Sequence, residues 1–260
     1  MKNTTQPTAP LASRGLWCAD DFGLHPYIDE AVLQLAASDR LQATSCLVNG
    51  ASFVTQAQAL RQSGLQTGLH LNFTEHLSHT IIQAPLSVLM RQAWLRQLDA
   101  RKVEHQIQQQ WDRFTHVMGR IPDFVDGHQH VHQFPVIREA LFRVLHQVAS
   151  TARRPWIRST RPGSLRGLPL SQQFKAHSIF RLGATALGQL ASQYGFLTNA
   201  RFFGVYDFQG GAAAYAAYIA VWKKYAQVGD LIMCHPACAP VPGDVLGTQR
   251  VAEFQVLMAS

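Results

Sequence analysis

Leu16-Trp17-Cys18-Ala19-Asp20-Asp21-Phe22-Gly23 is a short apolar run that ends in two carboxylates and a glycine. Pro26–Ala37 follows, with proline at the first helical position and Ile28, Val32, Leu35 and Ala36 on one helical face. The same order recurs along the chain. Apolar runs at residues 43–48, 68–73, 124–125, 156–157, 202–206 and 231–234 stop before Asn49, Thr74, Asp126, Arg158, Asp207 and His235. Amphipathic segments over 134–148 and 215–226, and a glutamine-rich stretch over 83–110, supply helices between them. Alternating strands and helices predict an α/β fold with a parallel sheet, whose ligands collect at the carboxyl ends of the strands.

The chain has 260 residues, 47% apolar and 15% charged, which excludes a disordered chain and fits one domain over 15–260 after a flexible tail at 1–14. Its +7 charge is unevenly placed. Between Ala140 and Tyr206 there are nine basic residues and no acid, whereas the remainder carries 14 basic and 16 acidic residues. A local excess points to an anionic partner more than a dispersed one does, although a solvated arginine-rich face is the plainer reading. No recognition helix, zinc finger or aromatic–basic sheet accompanies it, so nucleic acid is not expected. No secretory signal or membrane span is visible. The scattered Cys18, Cys46, Cys234 and Cys238 read as free thiols in a reducing, cytoplasmic setting.

The densest chemistry lies in Asp126-Gly127-His128-Gln129-His130-Val131-His132. At a strand's two-residue period, Asp126, His128, His130 and His132 would share a face, and a divalent ion is a natural partner for buried imidazoles. Asp20-Asp21 offers one carboxylate as ligand and its neighbour as a base toward water at the metal. His70, in Gly68-Leu69-His70-Leu71-Asn72-Phe73-Thr74-Glu75, and His235, in Met233-Cys234-His235-Pro236, complete the candidates. Each alone has a bland counterpart: a solvated histidine loop, capping aspartates, or hydrogen-bonded core histidines.

Together, in this order, the four motifs resemble the YdjC-like carbohydrate deacetylases, which include chitooligosaccharide deacetylases and a hopanoid-biosynthesis-associated branch. Phe203-Gly204, Arg250 and Glu253 agree as well, so the likeness runs from Leu16 to Leu257. The resemblance implies a deformed (β/α) TIM-like barrel of about seven parallel strands, holding one divalent ion (Mg2+ or Zn2+) on Asp21, His70 and His128. Asp20 is then the base and His235 the acid in amide hydrolysis of an N-acetylated sugar or sugar conjugate. His130, His132 and Arg158 would hold the sugar or the oxyanion. Two imidazoles and a carboxylate suit zinc better than magnesium, which prefers oxygen. Family members continue past the Arg250–Glu253 helix with a further helix and strand, whereas this sequence ends at Ser260, which leaves barrel closure open. The competing readings are a metal-dependent phosphoesterase or other amidohydrolase, and a non-catalytic sugar- or lipid-head-group-binding protein. The basic stretch suggests an anionic sugar conjugate, or one presented at an acidic membrane surface. A homo-oligomer is compatible with the sequence.

Overall fold

A computed structural model describes residues 15–149 and 153–260, and the expected tail at 1–14 lies outside the described residues. Its strands are β1 (Leu16–Phe22), β2 (Ala43–Cys46), β3 (Gln66–Leu71), β4 (Phe124–Gly127), β5 (Trp156–Ile157), β6 (Phe202–Phe203) and β7 (Leu231–Cys234). All seven pair in parallel, in the order β5-β4-β3-β2-β1-β7-β6. The helices are α1 (Pro26–Ala37), α2 (Phe53–Gln62), α3 (Leu86–Trp94), α4 (Ala100–Met118), α5 (Ile137–Val148), α6 (Leu170–Arg181), α7 (Ala184–Tyr194), α8 (Gly211–Tyr225) and α9 (Gln249–Ala259). The sheet is curled. Its edges approach each other through two isolated bridges, Ile157 with Thr198 and Pro162 with Phe202, so the strands form a curled half-barrel.

Alternation along the strands separates two cores. Leu16, Cys18, Ala43, Phe124, Trp156, Leu231 and Met233 pack inside the curl, while Trp17, Ala19, Leu69, Val125 and Ile232 join the larger core under the helices. The interior is crowded: a Cβ on Gly68 would stand 2.2 Å from the Phe124 ring, so only glycine fits there. Moving two residues up each inward column replaces apolar groups by polar ones. Cys18 gives way to Asp20, Ala43 to Ser45, Gly68 to His70, Phe124 to Asp126, Trp156 to Arg158 and Met233 to His235. The barrel therefore has an apolar floor and a polar upper layer at its carboxyl end.

Two expectations shift. The helix expected over 134–148 starts at Ile137, because Pro135 keeps Phe134 extended at ψ 149°. The strand run expected through Gly127 and His132 ends at Gly127; Gln129 and His130 have φ of 53° and 60°, and His128–Gln133 is a 3-10 segment. The period-two reading of Asp126, His128, His130 and His132 is thereby corrected, and those four side chains do not share one strand face.

The turn that leaves β1 is fixed by a buried acid. Asp29, in the first turn of α1, accepts the Gly23 N–H at 2.6 Å. Burial raises its carboxyl to about 6, although the Gly23 hydrogen bond pulls the other way. The folded protein thus retains a proton that the unfolded chain releases near pH 4, and stability from this group is lost as pH rises from about 4 to 6. Asp29→Asn should match the wild type near pH 4 and exceed it above pH 6 by about 1–3 kcal/mol in denaturant titrations.

Candidate active site

The two carboxylates owe their placement to a bulge in β1. Ala19 pairs with Thr44 but Phe22 with Cys46, so β1 carries one extra residue between these points. Asp21 takes a left-handed φ of 71°, a strained conformation for a residue other than glycine. With the extra residue, consecutive aspartates both line the same cavity rather than opposite faces of the sheet.

Asp21, His70 and His128 converge. Asp21 Oδ1 lies 3.5 Å from His70 Nε2 and 3.0 Å from His128 Nδ1. These donor atoms all fall within 4.8 Å of one another. The opposite ring nitrogens are already engaged: His70 Nδ1 with Asp126 Oδ1 at 2.8 Å, and His128 Nε2 with Glu75 Oε1 at 3.1 Å. Carboxylates behind histidines are how metal-binding imidazoles are oriented, so the donor set fits a divalent ion. Burial would depress His70, but Asp126 and Asp21 outweigh it and push the imidazole up to about 10. His128 is raised against burial by Asp21 and Glu75 in the same way. Both shifts report surplus negative potential where a cation would sit.

A second acidic group, Asp20, His70 and Asp126, also lies close together, but Arg158 already stands against it. The guanidinium is fully buried and meets both oxygens of Asp20 at 2.6 Å and Asp126 Oδ2 at 2.7 Å. Arg158 does not line the cavity. The expectation that it holds sugar or oxyanion is corrected by its position, since two residues above Trp156 on the inward column it points beneath the carboxylates. His132 is likewise fully buried and bonds the Arg158 carbonyl oxygen through Nε2 at 2.9 Å, so it supports Arg158 and does not reach the cavity. His130 does line the cavity, with its ring edge on Phe202. Burial, followed by the Arg158 charge, holds His130 well below the usual imidazole value.

His235 lies across from Asp20, with Nε2 at 4.0 Å from Asp20 Oδ2. Burial lowers it to about 4, and Asp21 and Asp20 only partly oppose this, so the imidazole is neutral at neutral pH. Helix α9 braces both sides of the site from one turn. Arg250 Nη2 donates to Asp21 Oδ2 at 2.7 Å and its Nε to Asp244 at 2.6 Å. Three residues on, Glu253 accepts the His235 backbone N–H at 2.6 Å and the Tyr206 hydroxyl. Burial raises Glu253 to about 7.

Several of these groups carry no motif of their own. Ser45 contacts both His70 and Asp126, and only the alternation of β2 points to it. Glu75 is held by a turn in which Asn72 Oδ1 accepts the N–H groups of Thr74 and Glu75. Gln106 and Gln110 of α4 bind the Asn72 backbone, which gives the glutamine-rich helix a role in placing Glu75. His25 also lines the cavity, and its Nδ1 accepts the Tyr27 N–H at the start of α1.

The sequence profile of the YdjC-like protein family matches residues 16–260. The chain belongs to the YdjC-like family. It is 30% identical over 140 residues to a carbohydrate deacetylase of Mus musculus, covering 49% of this chain and 45% of that protein. The chain thus spans about half the length of that relative. It is 26% identical over 229 residues to a chitooligosaccharide deacetylase of Citrobacter koseri, covering 84% and 79%. A crystal structure from Enterococcus faecalis V583, of a protein named for cellobiose-phosphate cleavage, superposes with a TM-score of 0.63 at 18% identity, over 94% of this chain and 89% of that one. That likeness establishes the fold of this YdjC-like chain.

The role of Asp126 behind His70 is open to direct measurement. Asp126→Asn should weaken divalent-metal affinity about 10–100-fold in isothermal titration while leaving the Asp21, His70 and His128 donors in place. Unchanged affinity would remove Asp126 from the metal centre.

Proposed function

We propose that this chain is a metal-dependent hydrolase that removes the acetyl group from an N-acetylated sugar or sugar conjugate. The observation that carries the reading is the convergence of Asp21, His70 and His128 beside Asp20 on a cavity of about 550 Å3, in a chain of the YdjC-like family. That volume accommodates a small ligand. A divalent ion held by Asp21, His70 and His128 would supply the Lewis acidity that activates water and polarises the acetyl carbonyl.

The chain's own residues divide the remaining work. Asp20 takes the proton of the attacking water. Arg158 grips both of its oxygens, which fixes the carboxylate plane and leaves lone pairs toward the cavity. As the amide C–N bond breaks, the leaving nitrogen needs the proton that Asp20 has collected. His235, neutral and within 4.0 Å of Asp20, relays it, giving acetate and a free amine. Arg250 and Glu253 hold Asp21 and the His235 backbone in register throughout. His130 is the member of the histidine cluster placed to touch the sugar.

The basic stretch is partly neutralised within the fold. Arg143 pairs with Glu104, Arg153 with Asp123, Arg158 with Asp20 and Asp126, and Arg201 with Asp230. Much of the basic stretch thus neutralises acids from elsewhere in the fold. Lys175 is the member of the stretch that lines the cavity, and an anionic substituent on the sugar would meet it there. The four free thiols support the reading of a reducing, cytoplasmic setting.

Acetate release from N-acetylated sugars, against phosphate release from phosphomonoesters, tests the reaction class. Asp21→Ala and His128→Ala should lose both bound metal and activity. Asp20→Asn should retain metal by elemental analysis while kcat falls about 10²–10⁴-fold. Full deacetylation by Asp20→Asn would overturn the assignment of the base.

A further inference from the structure

Several of the large apolar side chains that the fold leaves in water lie on segments that wall the cavity. Lys175 and Ile179 of α6, with Leu182 just past its end, line the cavity. The opposite stripe of that helix places Leu170, Phe174, His177 and Arg181 within one narrow arc at 3.6 residues per turn. Leu170 is 82% exposed and Phe174 76%, on a helix whose other side is already packed. Val245, on the loop that walls the same cavity, is 94% exposed. Leu86, which lines the cavity from α3, is also partly exposed, with Ile81 and Val88 near it in the chain. Leu170 and Phe174, one turn apart on an exposed stripe, form an apolar patch of the kind that marks a contact surface, whereas isolated apolar residues need no explanation.

The charges nearby select the partner. Residues 161–181 hold Arg161, Arg166, Lys175 and Arg181 and no acid. Arg161, Arg166 and Arg181 are exposed and have no ion-pair partner among the described residues. This contrasts with Arg143, Arg153, Arg158 and Arg201 of the same stretch, which are paired. Apolar side chains projecting beside unpaired arginines match an interface with acyl chains below and anionic headgroups above.

We propose that the exposed stripe of α6 docks on an anionic lipid bilayer, with Leu170 and Phe174 entering the headgroup boundary and Arg166 and Arg181 facing acidic headgroups. This goes beyond the reaction and does not depend on it, because binding is scored without turnover. The test is co-sedimentation of the full chain with phosphatidylcholine vesicles and with mixed phosphatidylcholine–phosphatidylglycerol vesicles. The chain is expected to pellet with the mixed vesicles, less so as salt rises, and weakly with phosphatidylcholine alone. Leu170→Ser combined with Phe174→Ser should lower vesicle affinity at least ~10-fold with an unchanged melting temperature, because both side chains are exposed. Arg166→Gln combined with Arg181→Gln should flatten the salt dependence. Wild-type protein left in the supernatant, or equal pelleting of wild type and Leu170→Ser/Phe174→Ser, overturns the proposal. So does light scattering that shows a dimer which Leu170→Ser/Phe174→Ser converts to monomer without any vesicle binding.

Discussion

A guanidinium inside the barrel holds the site together. Arg158 leaves the end of β5 and reaches Asp20 from β1 and Asp126 from β4, so one side chain joins three strands at the carboxyl end of the curl. Isolated charges in such a place would be very costly. Here each has a partner, and the partners have others: Asp126 also meets Ser45 and His70, and His132 supports the Arg158 carbonyl. Because β5 is two residues long and one of the two edges of the sheet, this contact anchors a strand that its own ladder holds weakly.

Charge balance accounts for the layer above it. Asp20, Asp21 and Asp126 face Arg158 and Arg250, and the remaining negative potential raises His70 and His128. The same potential is what makes a divalent ion a fitting occupant between Asp21, His70 and His128. His130, His132 and His235, without an equally close carboxylate, follow burial and stay neutral. Five histidines within a few turns of chain or across one barrel mouth thus divide into two chemical classes by what lies behind each ring.

The sheet was legible because short apolar runs ending in polar residues are what a buried parallel strand looks like; all seven runs contain a strand. The Asp20-Asp21 pair, His70 and His128 were legible because their residue types are costly to bury without a partner. His130, His132 and Arg158 were placed less well. A two-residue period was extended past Gly127, where positive φ at Gln129 and His130 breaks it, and nothing local announces that break. Arg158 at a strand end looked like a ligand contact, but the direction of its side chain depends on which carboxylates the neighbouring strands present. Ser45, Glu75 and the α9 braces lie 18 to more than 200 residues from the groups they hold, so no local pattern joins them.

By itself the sequence determined the alternation of strand and helix, the inward column of each strand and the supply of acids and imidazoles at the strand ends, because these follow from local periodicity and the cost of burying polar groups. It also determined where positive charge was in excess. Only the tertiary structure decided which charges cancel. It assigned Arg158 to Asp20 and Asp126, Arg250 to Asp21, and much of the basic stretch to acids brought from other parts of the chain. That decision rests on distances between strands and helices set by the curl of the sheet, and electrostatic pairing falls off over a few ångströms, a scale on which separation along the chain says nothing.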